Sequence, residues 1–385
     1  MINDLASLVA PLPVQTFRRH FLDKTRLHLK TAEPRRAEAL LPWSTINRLV
    51  EADGLPDSRL KISRAGNTIA APMYRFAEPR NRLRFGRMQD LLLQGASLVM
   101  SGIDDFVPAI GRLTRMLESE LACRVWCNTY LSFGAGSAFR AHYDLHDVII
   151  LQVHGRKVWR SHGIAAPSPV ERHSRQVKHG DVVWEGLLEP GDVLYLPRGE
   201  VHAADLEGEN SVHLTIGMKA PRGLDLVESF AKTATENALF RRDIPRVGGA
   251  DSLAEHEAAL KDALHAMVDA ISLAEFLDRD DRDRELRPSI NLGILGSISS
   301  DTVVVPSVRR RFGLDTRSEG VVSVPIGDDT FALSAAARRI LAFLMQRADC
   351  VFADLVAALS PDLTEAAVLA GVSELAKHCL VGIEP

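Results

Sequence analysis

Cysteine is scarce in this chain. Four of them (Cys123, Cys127, Cys350 and Cys379) in 385 residues cannot make a disulfide framework, and the Cys123/Cys127 pair has no second pair with which to hold zinc. All four are expected to be reduced packing residues. No apolar run approaches the roughly 20 residues that span a bilayer, and Met1-Ile2-Asn3-Asp4 lacks the basic start of a secretory signal. The expectation is a cytoplasmic protein with no membrane partner. An excess of one charge is also missing: the formal net charge of -4 gives no general pull toward nucleic acid. Repeats and low-complexity tracts are absent. What is present is 46% apolar composition over a length that allows two or three folded domains.

The chain is organised around Asn128 to Met218. Ala141-His142-Tyr143-Asp144-Leu145-His146-Asp147 reads as extended, and residues two apart on a strand share a face, so His142 and Asp144 can hold one ion between them. Leu188-Glu189-Pro190-Gly191-Asp192 turns into the strand Val193–Leu196, and Pro197-Arg198-Gly199 bends the chain toward a third candidate ligand, His202. Two imidazoles and one carboxylate on one face, with the opposite positions open, suit ferrous iron that must bind a cosubstrate and dioxygen together. Val148–Val153 is expected to be a buried strand, His154-Gly155-Arg156 a tight turn, and Lys157–Arg160 the returning strand. Lys157 and Trp159 would then share a face, and a lysine directed inward needs an anion such as the far carboxylate of a dicarboxylic acid. Leu206 to Asn210 is read as another turn, followed by a strand through Gly217. His213 and Thr215 face inward by parity, with His213 a satisfied core histidine; His146, His173 and His179 are read as surface or supporting residues. Many short strands separated by Gly and Pro turns suggest a double-stranded β-helix, the jelly-roll barrel of cupins.

Asn-x-Tyr (Asn128, Tyr130), His-x-Asp (His142, Asp144), Asp-Val-x-x-Leu-Gln-x-x-Gly-x-Lys-x-Trp (Asp147 to Trp159), Glu-Pro-Gly-Asp-x-Leu-Tyr-x-Pro (Glu189 to Pro197) and His-x-Ala (from His202) occur in that order. The ordered set resembles the JmjC-type 2-oxoglutarate oxygenases called ribosomal oxygenases. The resemblance implies Fe(II) held by His142, Asp144 and His202. It also implies 2-oxoglutarate as cosubstrate with its far carboxylate on Lys157, and a pocket lined by Asn128 and Tyr130. The chain departs from the family at Gly217, where a polar residue often assists cosubstrate binding.

The remainder reads as architecture. Residues 1–220 form the catalytic domain with an N-terminal elaboration, including a helix from Pro13 and a short strand Leu27–Leu29. In 221–287 the period lengthens to that of helices, Leu224–Phe230 and Leu253–Leu277, and the resemblance makes this segment a homodimer interface. Asp278 to Arg284 reads as a solvated helix end or linker. Residues 288–385 look like a winged helix, with strands near Val303 and Val321 and helices from Ser334, Val351 and Thr364. Its last helix has Lys377 against Glu365 and Glu374, a poor reader of nucleic acid, with Arg309-Arg310-Arg311 as an opening for RNA. Arg80 to Arg87 is either a solvated loop or an attractant for an acidic peptide or an RNA-bound substrate. The overall class is therefore α+β, and the expected function is hydroxylation of a protein or peptide side chain, such as Arg or His of a ribosomal protein. The competing readings are a tailoring hydroxylase of a precursor peptide, an N-methyl demethylase, and a non-catalytic metal-binding cupin.

Overall fold

The structure is a computed structural model, and it describes residues 2–384 apart from 32, 53–54, 57, 65, 78–80, 135–139, 171–179, 248, 289–296 and 348. His173, His179 and Arg80 lie outside the described residues. The chain forms two compact units, Met1–Lys219 and Ala220–Pro385. No helix among the described residues is long and apolar enough to cross a membrane.

The first unit is built on one antiparallel sheet. Its strands are β1 (Leu27–Leu29), β2 (Leu60–Arg64), β3 (Asn67–Thr68), β4 (Ser97–Met100), β5 (Arg124–Phe133), β6 (Asp147–Ile164), β7 (Trp184–Leu188), β8 (Val193–Leu196) and β9 (Glu200–Lys219). They lie in the order β1-β8-β6-β9-β5-β4-β2-β3, with β7 also paired to β6. This is the large antiparallel sheet expected of a cupin-like fold. One face of the central strands packs against the N-terminal helices: Ile149, Leu151, Val153, Leu214 and Ile216 join Phe17, Leu41 and Leu117 in the main core. The other face closes on itself, gathering Val148, Ile150, Trp159, Leu188, Leu194 and Leu196.

The expected hairpin at His154-Gly155-Arg156 does not exist. β6 runs straight through it, with register shifts against β9 between Gln152 and His154 and between Gly155 and Arg156. Lys157 to Ser161 pair with β7 and β9 rather than with Val148 to Val153. The glycine signal was real but marks a bulge, which needs the same positive φ as a turn (Gly155, +61°). A Cβ at Gly155 would stand 1.9 Å from the Asn210 carbonyl oxygen, so only glycine lets the strands approach. The bulge also shifts parity, so even-numbered Val148 and Ile150 share the inner face with odd-numbered Lys157 and Trp159. Opposite it, Leu206 to Asn210 is no turn either. β9 continues through an irregularity at Gly208 (φ +100°), and inward positions pass from His202 and Ala204 to His213 and Thr215.

The second unit begins with helices Gly223–Ala234, Gly249–Asp269 and Leu273–Arg282. The single long helix expected over Leu253–Leu277 is broken before Ser272, whose side chain caps the next helix by accepting from Glu275 N–H. A compact core follows, made by β10 (Val303–Pro306) between β13 (Cys350–Val351) and β14 (Val381–Glu384), the hairpin β11 (Val322–Ile326) and β12 (Asp329–Leu333), and helices Ala335–Leu344, Phe352–Leu359 and Glu365–Lys377. Ser334 and Thr364 cap the first and last of these helices. Three sequence expectations change here. The charged run from Asp278 is not a free linker, because Asp280 and Asp281 accept from Arg310 at 2.9 and 2.7 Å, and Asp278 accepts from Gly313 N–H. Arg309 and Arg310 are accordingly buried and present no surface to RNA. Cys379 is exposed, unlike the other three cysteines.

Candidate functional site

The inner cavity of the first unit opens between β6 and β9 and is lined by Tyr130, His142, Asp144, Lys157, Trp159, His202, His213 and Thr215 among others. His142 and Asp144 are not on a regular strand. The segment is held by one isolated bridge, His142 to His202, whose backbone groups bond at 3.1 and 2.8 Å, while the Asp144 carbonyl accepts from Gly199 N–H at 3.0 Å. Those three bonds do what strand pairing was expected to do. One ligand atom each from His142, Asp144 and His202 comes within 4.8 Å of the others, and the two imidazoles lie 4.6 Å apart.

Local chemistry fixes which nitrogen each histidine presents. Nδ1 of His142 lies 2.9 Å from the Arg140 carbonyl and Nδ1 of His202 lies 2.9 Å from the Glu200 carbonyl. A carbonyl only accepts, so Nδ1 carries the proton and Nε2 offers its lone pair to the shared point. Burial first, then the neighbouring His142, holds His202 below its usual pKa, which keeps it in the neutral form a metal requires. Nothing in the sequence could have located these two carbonyls, because the ring orientation depends on the backbone path two residues upstream.

Toward the floor the cavity holds Lys157, 4% exposed. Burial pulls its pKa down to about 7, against a smaller opposing effect of Asp205. Among the described residues no carboxylate forms an ion pair with it. Tyr130 lines the wall, its hydroxyl pushed up to about 12 by burial and then by the charge of Asp144. Asn128 stands outside the lining: its Oδ1 accepts from Gly102 N–H at 3.0 Å, and its side chain bonds to Tyr130. His213 is indeed buried, and His146 packs on Trp126 with ring centroids 4.7 Å apart.

Gly217 has a steric reason. A Cβ there would lie 2.4 Å from the Trp126 indole, so glycine seats that ring where the resembling family often has a polar side chain. Trp159 shares the inward face of Lys157 as expected, but its indole Nε1 is buried in the wall with no hydrogen-bond partner among the described residues, which no local pattern indicates.

The large antiparallel sheet with an inward His, Asp, His set is the arrangement of a metal-binding cupin-like fold, and residues 104–226 match the JmjC domain family. The chain is 26% identical over 257 residues to the bifunctional lysine-specific demethylase and histidyl-hydroxylase NO66 of Aedes aegypti, covering 62% of this chain and 39% of that protein. It is 27% identical over 256 residues to ribosomal oxygenase 1 of Rattus norvegicus, covering 62% and 42% respectively. It thus spans about two fifths of the length of these relatives. The crystal structure of the Escherichia coli ribosomal oxygenase YcfD has the same fold over 97% of this chain and 98% of its own, with a TM-score of 0.60 at 19% identity. A second YcfD structure, in complex with cobalt and 2-oxoglutarate, matches with a TM-score of 0.59 at 19% identity, over 97% of this chain and 99% of its own. Residues 104–226 thus match a JmjC domain, and the chain is similar in sequence to ribosomal oxygenases and in fold to YcfD.

Proposed function

We propose that this protein is a ferrous-iron- and 2-oxoglutarate-dependent dioxygenase that hydroxylates a side chain of a protein or peptide. The observation that carries this reading is the convergence of His142, Asp144 and His202 at one end of a cavity whose other end is the buried Lys157. The donor set fits the metal: two neutral nitrogens with their second nitrogens tied off, and one carboxylate oxygen. The cavity fits the cosubstrate, since a buried ammonium with no carboxylate in an ion pair with it among the described residues and the indole N–H of Trp159 are the kinds of group that an incoming dicarboxylate satisfies. When bound, iron and 2-oxoglutarate supply the oxidising chemistry that places one oxygen atom from dioxygen on a substrate carbon, with succinate and carbon dioxide as coproducts.

In this reading His142, Asp144 and His202 hold the metal, and Lys157 pairs with the far carboxylate. Tyr130 walls the pocket, and Asn128 holds the Tyr130 hydroxyl in place. The carbonyls of Arg140 and Glu200 keep the histidines aimed, and the apolar walls Val148, Ile150 and Trp159 exclude water around the reacting atoms. Relatives named for ribosomal oxygenation and histidyl hydroxylation support a ribosomal protein as target and His as the modified residue, with Arg as the alternative residue. The helices of 221–287 form a homodimer interface, residues 288–385 are a winged helix that grips protein rather than nucleic acid, and the protein works in the cytoplasm. A second reading, demethylation of an N-methyl group, is favoured by the first name of the Aedes relative.

The test is mass spectrometry of cell-extract proteins and peptides incubated with the protein, iron and 2-oxoglutarate, beside a His142→Ala control. Hydroxylation adds the mass of one oxygen to a protein or peptide with matching succinate. Formaldehyde and loss of a methyl group would replace it by the second reading, and failure to bind metal would end both.

A further inference from the structure

Lys157 does not meet the cavity alone. Its Nζ lies 3.4 Å from Nδ1 of His213, and both side chains are 4% exposed. The two come from opposite long strands, just beyond the paired irregularities that turn both inward. The His213 ring stacks flat on Tyr130, with centroids 5.1 Å apart and planes at 3°, and meets Trp159 edge-on at 5.3 Å. Two aromatic neighbours therefore fix its plane. An ammonium has only N–H groups to give, so Nδ1 accepts and the imidazole proton sits on Nε2. Burial and the adjacent lysine both hold His213 well below its usual pKa, which agrees with a neutral acceptor.

We infer that His213 is a positioning residue for the cosubstrate's far carboxylate: by accepting one N–H of Lys157 it aims the remaining two into the cavity. The inference rests on the assignment of Lys157 given above. A lysine carries its charge on a flexible stem with three freely rotating donors. Fixing one donor before the anion arrives removes an ordering cost that binding would otherwise carry. The same strand face also explains why this chain tolerates Gly217. Along His213, Thr215 and Gly217, the last position has no side chain to offer because the Trp126 indole fills its space, and the imidazole of that row sits against the lysine instead.

The experiment is calorimetric titration of the full chain loaded with Mn(II), using 2-oxoglutarate and, separately, oxalate. Oxalate offers the metal two oxygens but has no far carboxylate to reach Lys157. His213→Leu is expected to weaken 2-oxoglutarate by about tenfold or more, the worth of a hydrogen bond to a charged group, while oxalate changes less than about twofold. His213→Gln, which restores an acceptor, should recover most of the loss and keeps the test decisive where the leucine variant fails to fold. Unchanged 2-oxoglutarate affinity in His213→Leu overturns the inference. Equal losses for both ligands, or a glutamine variant no better than leucine, do the same and leave His213 a packing residue. If the wild-type chain binds oxalate but not 2-oxoglutarate, the Lys157 assignment itself falls and this inference with it.

Discussion

From Arg124 to Lys219 the strands bury polar and apolar side chains alike: Gln152, Lys157, Ser161, His202 and His213 are all under 9% exposed. From Gly223 to Arg282 three helices fully bury no side chain, although some such as Leu226 and Phe230 are half-buried. Both segments are amphipathic, and the difference lies in closure. A barrel covers its own inner face, so the chain can hold expensive groups there, each needing a partner or a ligand. A helix has no second face to turn to. Val227 at 62%, Val268 at 53% and Leu273 at 62% exposure leave apolar stripes of the kind that commonly mark an interaction surface. A buried lysine with no carboxylate in an ion pair among the described residues suits a ligand in the first unit, and the exposed apolar stripes of the other suit the homodimer proposed above.

The largest effect that could break this comparison is at the metal. His202→Ala should weaken Mn(II) or Fe(II) binding more than about a hundredfold, beyond the loss from disturbing only a ligand's support; near-normal affinity would mean that the three side chains do not share an ion. Lys157→Ala should weaken 2-oxoglutarate about a hundredfold while the metal still binds, as expected for removing one member of a buried ion pair.

The wild-type lysine also makes a signed prediction. Burial holds its free-state pKa near 7, with Asp205 opposing and neutral His213 alongside. A bound carboxylate raises that pKa, so the complex carries more protons than its parts. Affinity should therefore be level below pH 7 and fall as pH rises above it, with proton uptake measurable by calorimetry in buffers of different ionisation enthalpy. Proton release on binding would contradict the pairing.

In the helical segment, Val227→Glu combined with Val268→Glu should shift sedimentation from dimer to monomer without altering 2-oxoglutarate affinity. A wild-type monomer at micromolar concentration would remove the need for a second copy. The smallest effect expected is at Gly217. Gly217→Ala pushes a methyl into Trp126 and should cost about 1–3 kcal/mol of stability in denaturant unfolding. Gly217→Ser should be no better for 2-oxoglutarate, since the tryptophan occupies the space its hydroxyl would need.

Much of the fold was legible before any coordinates. Strand and helix starts at Leu27, Val193, Ser334 and Thr364 follow from alternation and capping residues. The errors share one cause. At Gly155 and Gly208 the glycine pattern suggests a turn, whereas the positive φ found there bulges a strand that carries on. The positive-φ preference of glycine is local, but whether the strand then turns back or continues depends on a partner some fifty residues away. At Asp278 to Arg284 a charged run was read as solvated because its partner, Arg310, is remote in sequence.

The sequence by itself determined the chemistry available: which side chains can donate to a metal, which can pair with an anion, and the order in which the chain meets them. Tertiary structure alone decided that His142, Asp144 and His202 meet, that carbonyls at Arg140 and Glu200 fix their nitrogens, and that Lys157 shares its ammonium with His213. The reason is that residue type is fixed position by position, whereas direction and distance are set by hydrogen-bonded strands whose pairing no local pattern records.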